Sequence, residues 1–525
     1  MKFLSGLLLK ILIIFTITLK LITSTKEIKN ILVYSFPGGK SHSFIFRELF
    51  DYTQARMREE NPNFEIKFKI IIHNYDMELW ENSPYDLIGY GDKHAYEDKF
   101  QKALEMVRED PVFGYNNFNK ALINLNNDFL KDNIIEKLKG VKYDLFITDV
   151  VSMIAPFLRQ ALDIKKSMAM NPTCVFVWIN GAFEYNAAYH PLIGTTYTEL
   201  MTFSERFINQ VSLWGTRLSY QFFKYSQLGI FREYGYDFEI EPFPTNILFL
   251  NQCVDGVHYS YSLPPNIINT GAILPKPSKE IENETILDFL NKFNSNIYVS
   301  QGTIFKVLDT DVMFEVFESF PEIGFILSIK KELIDSVETY PKNLLILDWA
   351  PQNDLLGHHK VKVFITHGGL NSILESLYHA KPMIVVGTSI DQVNGAVVVD
   401  YRKLGKGIMK NSDLTKENLI AYISELLSNQ VYTDNCKFAQ KLVKEKSGKE
   451  TFYYWLNYTL EYGYEHLLIP AYSDYNFLEL HNVDIIFILV CIIALLFYLV
   501  FCSLKKLYMK IYTKIISVSG KKKTD

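Results

Sequence analysis

The chain has 525 residues, 48% of them hydrophobic, which is too much for one ordinary core; two large domains plus terminal segments are the expectation. A formal net charge of −5, with lysines spread out except near the C-terminus, gives no reason to expect a nucleic-acid partner. The many Phe and Tyr residues serve core packing first and an apolar ligand second.

In chain order, Lys2 followed by the apolar stretches Leu7 to Leu9 and Ile11 to Ile22 predicts a secretory signal peptide over residues 1–24. Asn30 to Ser35 reads as a strand, Phe44 to Arg58 as a helix, and Phe68 to Ile72 as a strand. Tyr143 to Thr148 is another strand, ending in Asp149. Asn171 to Phe243 is aromatic and poorly periodic, with helix expected near Glu199 to Phe222; it is expected to cap or line a cavity. Prolines from Leu263 to Pro277 mark a boundary, giving domains of 25–270 and 271–470. Further strands follow at Ile297 to Ser300, Gly324 to Ser328, Leu344 to Leu347, Val361 to Ile365 and Met383 to Val386. Two alternating series of this kind predict an α/β protein of two Rossmann-like domains facing across a cleft.

A connector, 471–484, leads to Ile485 to Leu504, twenty residues without a charge and long enough to cross a bilayer. Lysines follow this segment and acids precede it, which puts the lysine-rich tail 505–525 in the cytosol and the bulk of the chain in the lumen, as a single-pass type I protein. Lys522-Lys523 resembles a dilysine signal for return to the endoplasmic reticulum. Asn283 and Asn457 open glycosylation sequons, as expected of a luminal glycoprotein. Cys491 and Cys502 fall in the span, and Cys174, Cys253 and Cys436 have neither metal-ligand nor redox spacing, so one disulfide at most is expected.

The most informative stretch runs from Trp349 to Gln392. After the strand at Val361 to Ile365, Gly368-Gly369 makes a tight turn into a helix over Asn371 to His379. A glycine turn at a helix start gathers N–H groups and the positive dipole end at one point, which attracts a diphosphate. Upstream, His42 lies in a glycine-containing loop after the first strand. Imidazole titrates near neutrality and suits a general base, and Asp149 at a buried strand end is the candidate carboxylate that orients it. Singly, each of these residues has a plain structural reading as turn, cap or packing. Together, at these spacings, they read as a nucleotide-sugar site.

That stretch, with Ser300-Gln301-Gly302-Thr303, resembles the signature of the UDP-glycosyltransferases, which include the membrane-bound UDP-glucuronosyltransferases. The resemblance implies a GT-B fold and a UDP-sugar co-substrate, with no cofactor and no metal required. It implies that Trp349 stacks on uracil, that Gln352 hydrogen-bonds it, and that Glu375 accepts from the ribose. Ser300, Thr303, His367, Gly369, Asn371 and Ser372 belong to the UDP-sugar site, the last four holding the diphosphate, and Asp391 and Gln392 fix the sugar. It also implies inverting transfer to a hydroxyl of a small lipophilic acceptor, with His42 as base and Asp149 as its companion, in the endoplasmic reticulum and in detoxification. Homo-oligomers occur in that family. Four departures stand out. Gly387 replaces a proline, which predicts a looser loop before Asp391; Gln301 replaces a leucine; Ser328 stands where an arginine is frequent; and Leu250-Asn-Gln-Cys lacks an arginine seen in glucuronosyl-transferring members. The donor sugar, glucuronate or glucose, therefore stays open. The alternative reading is a catalytically silent UDP-sugar or lipophile binder of the same fold, or a transferase acting on a membrane lipid or glycan.

Overall fold

The computed structural model describes residues 27–97, 102, 127–152, 154–174, 186–238, 247–260, 262–302, 310–330, 334, 339–388, 390–469, 476–480 and 482–521. The predicted signal segment 1–24, Thr303 and the Lys522-Lys523 pair lie outside them. The chain divides into two units, Met1–Leu468 and Ile469–Asp525.

The first unit contains two wholly parallel sheets. One is built from β1 (Glu27–Tyr34), β2 (Phe64–His73), β3 (Asp86–Tyr90), β4 (Leu145–Asp149), β5 (Ser167–Asn171), β6 (Leu248–Asn251) and β7 (Ile267–Asn269). Its order is β3-β2-β1-β4-β5-β6-β7. Ile31, Leu32 and Val33 of β1 are fully buried, as a strand covered on both faces requires. From β1 the chain moves outward one way through β2 and β3, then returns to β4 on the other side. The carboxyl ends of β1 and β4 therefore flank the point where the strand order reverses, the usual position of a ligand crevice. His42 follows β1 and Asp149 ends β4.

The second sheet repeats this logic with β8 (Ser295–Ser300), β9 (Ile323–Ser328), β10 (Leu344–Leu347), β11 (Val361–Thr366), β12 (Met383–Val386) and β13 (Gly405–Ile408). The order is β10-β9-β8-β11-β12-β13, with the reversal between β8 and β11. Ser300 and Thr366, the last residues of those two strands, are register partners. The switch point thus lies beside Gly302 and His367. Apolar clusters cover both faces: Leu374, Leu377 and Met383 belong to one, and Phe317, Phe325 and Ile423 to the other.

The helix Gly448–Tyr462 leaves the second sheet and packs on the first. Phe452, Tyr453 and Leu456 join the cluster around Phe50 and Phe68, and Tyr453 donates to Glu60 Oε2 at 2.6 Å. Lys166 Nζ donates to the carbonyls of Thr459 and Leu460 at 2.9 and 3.0 Å, and Tyr464 Oη accepts from Ser167 N at 3.0 Å. The 448–468 stretch was assigned by sequence to the 271–470 domain, yet its side chains complete the core of the other one. Cys174 and Cys253 form a disulfide that ties the chain after β5 to the chain after β6. In the second unit a helix runs Val483–Lys521, of which Val483–Ile516 is long and apolar enough to cross a membrane. It extends past the 485–504 segment expected from sequence, because Lys505, Lys506, Lys510 and Lys514 are compatible with helical continuation.

Candidate active site

The helix Lys40–Glu60 begins directly after the loop that leaves β1, and His42 sits in its first turn. Gly38 in that loop has φ of 79°, a conformation that favours glycine, and its N–H donates to Asp76 Oδ2 at 2.5 Å. Asp76 is buried, and burial pushes its carboxyl up to about 6 against the opposing pull of the Gly38 N–H, Lys40 and His42. The backbone that presents His42 is therefore fixed from beneath by a carboxylate.

His42 Nδ1 lies 2.6 Å from Asp149 Oδ2, and the other Asp149 oxygen accepts from Val151 N at 2.9 Å. Asp149 is fully buried, and the His42 side chain keeps 12% of its surface exposed. Burial pulls the His42 pKa down. The Asp149 charge and hydrogen bond, then Asp391 and Asp76, outweigh that pull, so the imidazole titrates above its ordinary value. A ring whose Nδ1–H faces a carboxylate keeps Nε2 as its basic nitrogen. The influence of Asp391 on both His42 and His367 brings a residue of the second sheet's domain into the electrostatic field of the His42 imidazole.

On the second sheet, Gly369 caps the helix Leu370–Tyr378 and, as a glycine, offers its first N–H groups no side-chain cap. Asn371 and Ser372 lie in this first turn, the geometry that receives phosphate oxygens. His367 packs against two glycines: a Cβ at Gly302 would come within 2.8 Å of its ring, and one at Gly369 within 2.7 Å. Burial lowers His367 to about 4, opposed only partly by Asp391, so the ring is neutral and supplies one N–H. Gly302 has φ of 82°. Gly302→Ala is expected to cost about 1–2 kcal/mol of stability from the left-handed backbone. By displacing His367, it should also raise the UDP dissociation constant by about 10- to 100-fold, the worth of one hydrogen bond to a charged group. Thermal melting and titration calorimetry separate the two effects.

The expected base-reading group is already paired. Gln352 Nε2 donates to Glu375 Oε2 at 2.5 Å and to Ser372 Oγ at 3.2 Å, and its Oε1 accepts from Tyr298 Oη at 3.4 Å. Burial raises the Glu375 pKa while the Gln352 hydrogen bond lowers it. Trp349 follows β10 with 77% of its surface exposed, an open face for stacking. Tyr298 also bonds Ser300 and Ser328, so Ser328, in the place of a frequent arginine, belongs to this polar cluster. Gln392 is buried and its Oε1 accepts from Thr388 Oγ1 at 3.1 Å. Gly387 makes a close approach to the chain at Gln392. A Cβ there would meet the Gln392 carbonyl oxygen at 2.7 Å, and Gly387 N donates to Ile408 O at 3.0 Å.

The two halves meet through Gln252, whose Nε2 donates to Asn371 Oδ1 at 2.6 Å. Gln252 was not singled out from the sequence. A contact between residues 119 positions apart leaves no local signal, although its place just after β6 is where strand ends present ligand groups. The sequon residues differ in setting: Asn283 is exposed and N-caps the helix Glu284–Lys292, whereas Asn457 is half-buried within Gly448–Tyr462 and Thr459 is fully buried.

Two parallel sheets, each with its polar residues at a switch point, form a GT-B fold. Solved structures agree in fold: the kitacinnamycin glycosyltransferase aligns with a TM-score of 0.56 at 15% identity, over 83% of this chain and 99% of its own. The spinosyn forosaminyltransferase gives 0.54 at 14%, over 82% and 99%. The family described as UDP-glucoronosyl and UDP-glucosyl transferase matches residues 47–522, and the chain belongs to that family. Similar relatives include UDP-glycosyltransferase UGT4 of Dactylopius coccus, 26% identical over 74% of this chain and 81% of that protein. UDP-glucuronosyltransferase 2B7 of Homo sapiens is 23% identical over 70% and 71%. The human 2-hydroxyacylsphingosine 1-beta-galactosyltransferase is 26% identical over 72% and 70%.

Proposed function

We propose that the protein transfers a glucuronosyl or glucosyl group from a UDP-sugar to a hydroxyl of a small lipophilic acceptor, with inversion at the anomeric carbon. The observation that carries this reading is the His42–Asp149 pair at 2.6 Å, under the influence of Asp391 from the donor half. The acceptor oxygen attacks the anomeric carbon as Nε2 of His42 takes its proton. The bond to the UDP oxygen breaks, and the charge that develops on the diphosphate meets the N–H groups at Gly369 to Ser372 and the neutral His367. Trp349 stacks on uracil, Gln352 and Glu375 serve uracil and ribose, and Asp391 and Gln392 hold the sugar hydroxyls. Diphosphate stabilisation of this kind proceeds without a metal. The catalytic domains are luminal, and the Val483–Ile516 helix anchors them in the endoplasmic reticulum membrane.

For the donor, the names of the relatives span glucuronosyl and galactosyl transfer. A glucuronate carboxylate gains from a cationic partner, and Ser328 and the Leu250 to Cys253 stretch supply none. UDP-glucose is accordingly expected to bind at least as tightly as UDP-glucuronate. Competition of the two against labelled UDP on the full chain decides this; tighter binding of UDP-glucuronate would reverse the assignment.

A further inference from the structure

Gln252 follows β6 and is fully buried, and its amide uses only one of its two ends. Nε2 donates to Asn371 Oδ1 at 2.6 Å, whereas Oε1 is buried and accepts from no protein group among the described residues. A buried carbonyl oxygen in that position costs stability, and an apolar side chain of the same shape would avoid the cost. The amide is thus better explained by what its Nε2 does than by the strength it lends the fold. Its support is rigid. Gln252 N donates to Asn171 O at 3.0 Å, and Cys253, the next residue, is bonded to Cys174. Leu370, the neighbour of Asn371, packs on the apolar cluster that contains both cysteines.

Asn371 is half-buried in the first turn of the helix Leu370–Tyr378, and its Nδ2 donates to no protein group among the described residues. An asparagine amide can offer a ligand either its carbonyl oxygen or its NH₂. Gln252 decides which. With Oδ1 occupied by the Gln252 donor, the NH₂ remains, and it suits the same phosphate oxygens as the N–H groups of that helix turn. The reverse pairing, Asn371 Nδ2 on Gln252 Oε1, would turn a carbonyl oxygen toward an anion. The bond is not what fastens the two halves to each other. Tyr401 Oη donates to Glu199 Oε1 at 3.1 Å, Arg402 Nη2 donates to His258 O at 3.2 Å, and the helix Gly448–Tyr462 joins the first sheet's core.

We propose that Gln252 is a positioning residue for the donor diphosphate: from the first sheet's domain it fixes the Asn371 amide so that Nδ2 is the end offered to the phosphate oxygens. Affinity for the diphosphate then depends on a residue of the acceptor half, although that residue does not itself touch the donor. The proposal rests on the reading that Asn371 serves the diphosphate, and it extends that reading by naming the group that orients Asn371.

The test compares UDP with uridine, which lacks the diphosphate, by calorimetric titration of the full chain. Asn371→Ala should raise the UDP dissociation constant by about 10- to 100-fold, as loss of a hydrogen bond to a charged group does, and leave uridine unchanged. Gln252→Met keeps the length of the side chain but has no donor. It should raise the UDP constant by about 3- to 10-fold, the cost of ordering one side chain that was held before, with uridine unchanged and the melting temperature not lowered. Gln252→Ala, measured beside it, should give the same preferential loss of UDP. In the Asn371→Ala background, Gln252→Met should add nothing, because the group it orients is gone. Unchanged UDP affinity in Gln252→Met, with the Asn371→Ala loss intact, overturns the proposal and leaves the diphosphate reading standing. Unchanged affinity in Asn371→Ala overturns both. Equal weakening of UDP and uridine by Gln252→Met and Gln252→Ala, or losses that add in the double variant, also overturns the proposal.

Discussion

Replacing His42 by alanine is expected to lower kcat by about 10²–10⁴-fold, the usual worth of a positioned general base, and to leave UDP affinity unchanged. The separation of effects follows from the architecture. His42 belongs to the first sheet's domain, whereas Trp349, Gln352, His367 and Glu375 stand on the second. Among the described residues, the imidazole's hydrogen-bond partner is Asp149, which stands on the same domain. Single-turnover transfer assays with UDP-glucose and UDP-glucuronate, alongside calorimetric titration with UDP, measure the two quantities separately. Equal turnover in His42→Ala would remove His42 from the chemistry and favour a silent binding protein. The native enzyme should also show an acid limb. His42 must be neutral to accept a proton, so kcat/KM falls as the pH drops through its pKa, and the carboxylates around it place that fall above the ordinary imidazole value.

The second sheet was nearly all legible in the sequence because its strands are buried on both faces and read as short apolar runs between turn residues. Val361 to Thr366 and Met383 to Val386 are of this kind. Strand β13, Gly405–Ile408, was missed because Gly-Lys-Gly-Ile has no such run; its glycines are needed where a Cβ would meet the Met383 and Ala396 carbonyl oxygens. In the first sheet, β5 reads Ser-Met-Ala-Met-Asn and β7 only Ile-Ile-Asn, too short or too mixed for periodicity to report. The return of Gly448–Tyr462 to the first sheet was hidden for another reason. Its sequence is an ordinary amphipathic helix, and nothing local says which of two cores it covers.

Apart from the His42–Asp149 pair, whose members lie 107 residues apart, legibility within the candidate site followed sequence distance. Residues from Trp349 to Gln392 sit on consecutive elements around one switch point, so their spacing carried the information. Asp76, Tyr298 and Gln252 act through contacts made at a distance, and each looks unremarkable among its neighbours. Asp76 is one Asp after a strand, Tyr298 one aromatic inside a strand, and Gln252 one amide near a cysteine. Their roles depend on Gly38, on Gln352 and on Asn371, none of which is adjacent to them in the chain.

Asp149→Asn is expected to reduce kcat on the order of 10³–10⁴-fold with the fold intact, since the amide keeps the shape of the carboxylate in a fully buried position. Two separate losses combine. The amide can present its NH₂ to the ring and so favour the wrong tautomer, with Nδ1 as the acceptor and Nε2 protonated. It also removes the negative charge that stabilises the imidazolium formed as the acceptor proton arrives. The pH dependence tells this change apart from a merely structural one. Asp149 provides the largest upward contribution to the His42 pKa, through charge and hydrogen bond, against the downward pull of burial. Without it, burial faces only Asp391 and Asp76, so the pKa of His42 falls. The acid limb of kcat/KM should therefore move to lower pH in the variant even as the plateau drops. A damaged fold would lower the plateau and leave the limb in place; titration of the His42 ring signals by NMR follows the same shift without reference to any acceptor.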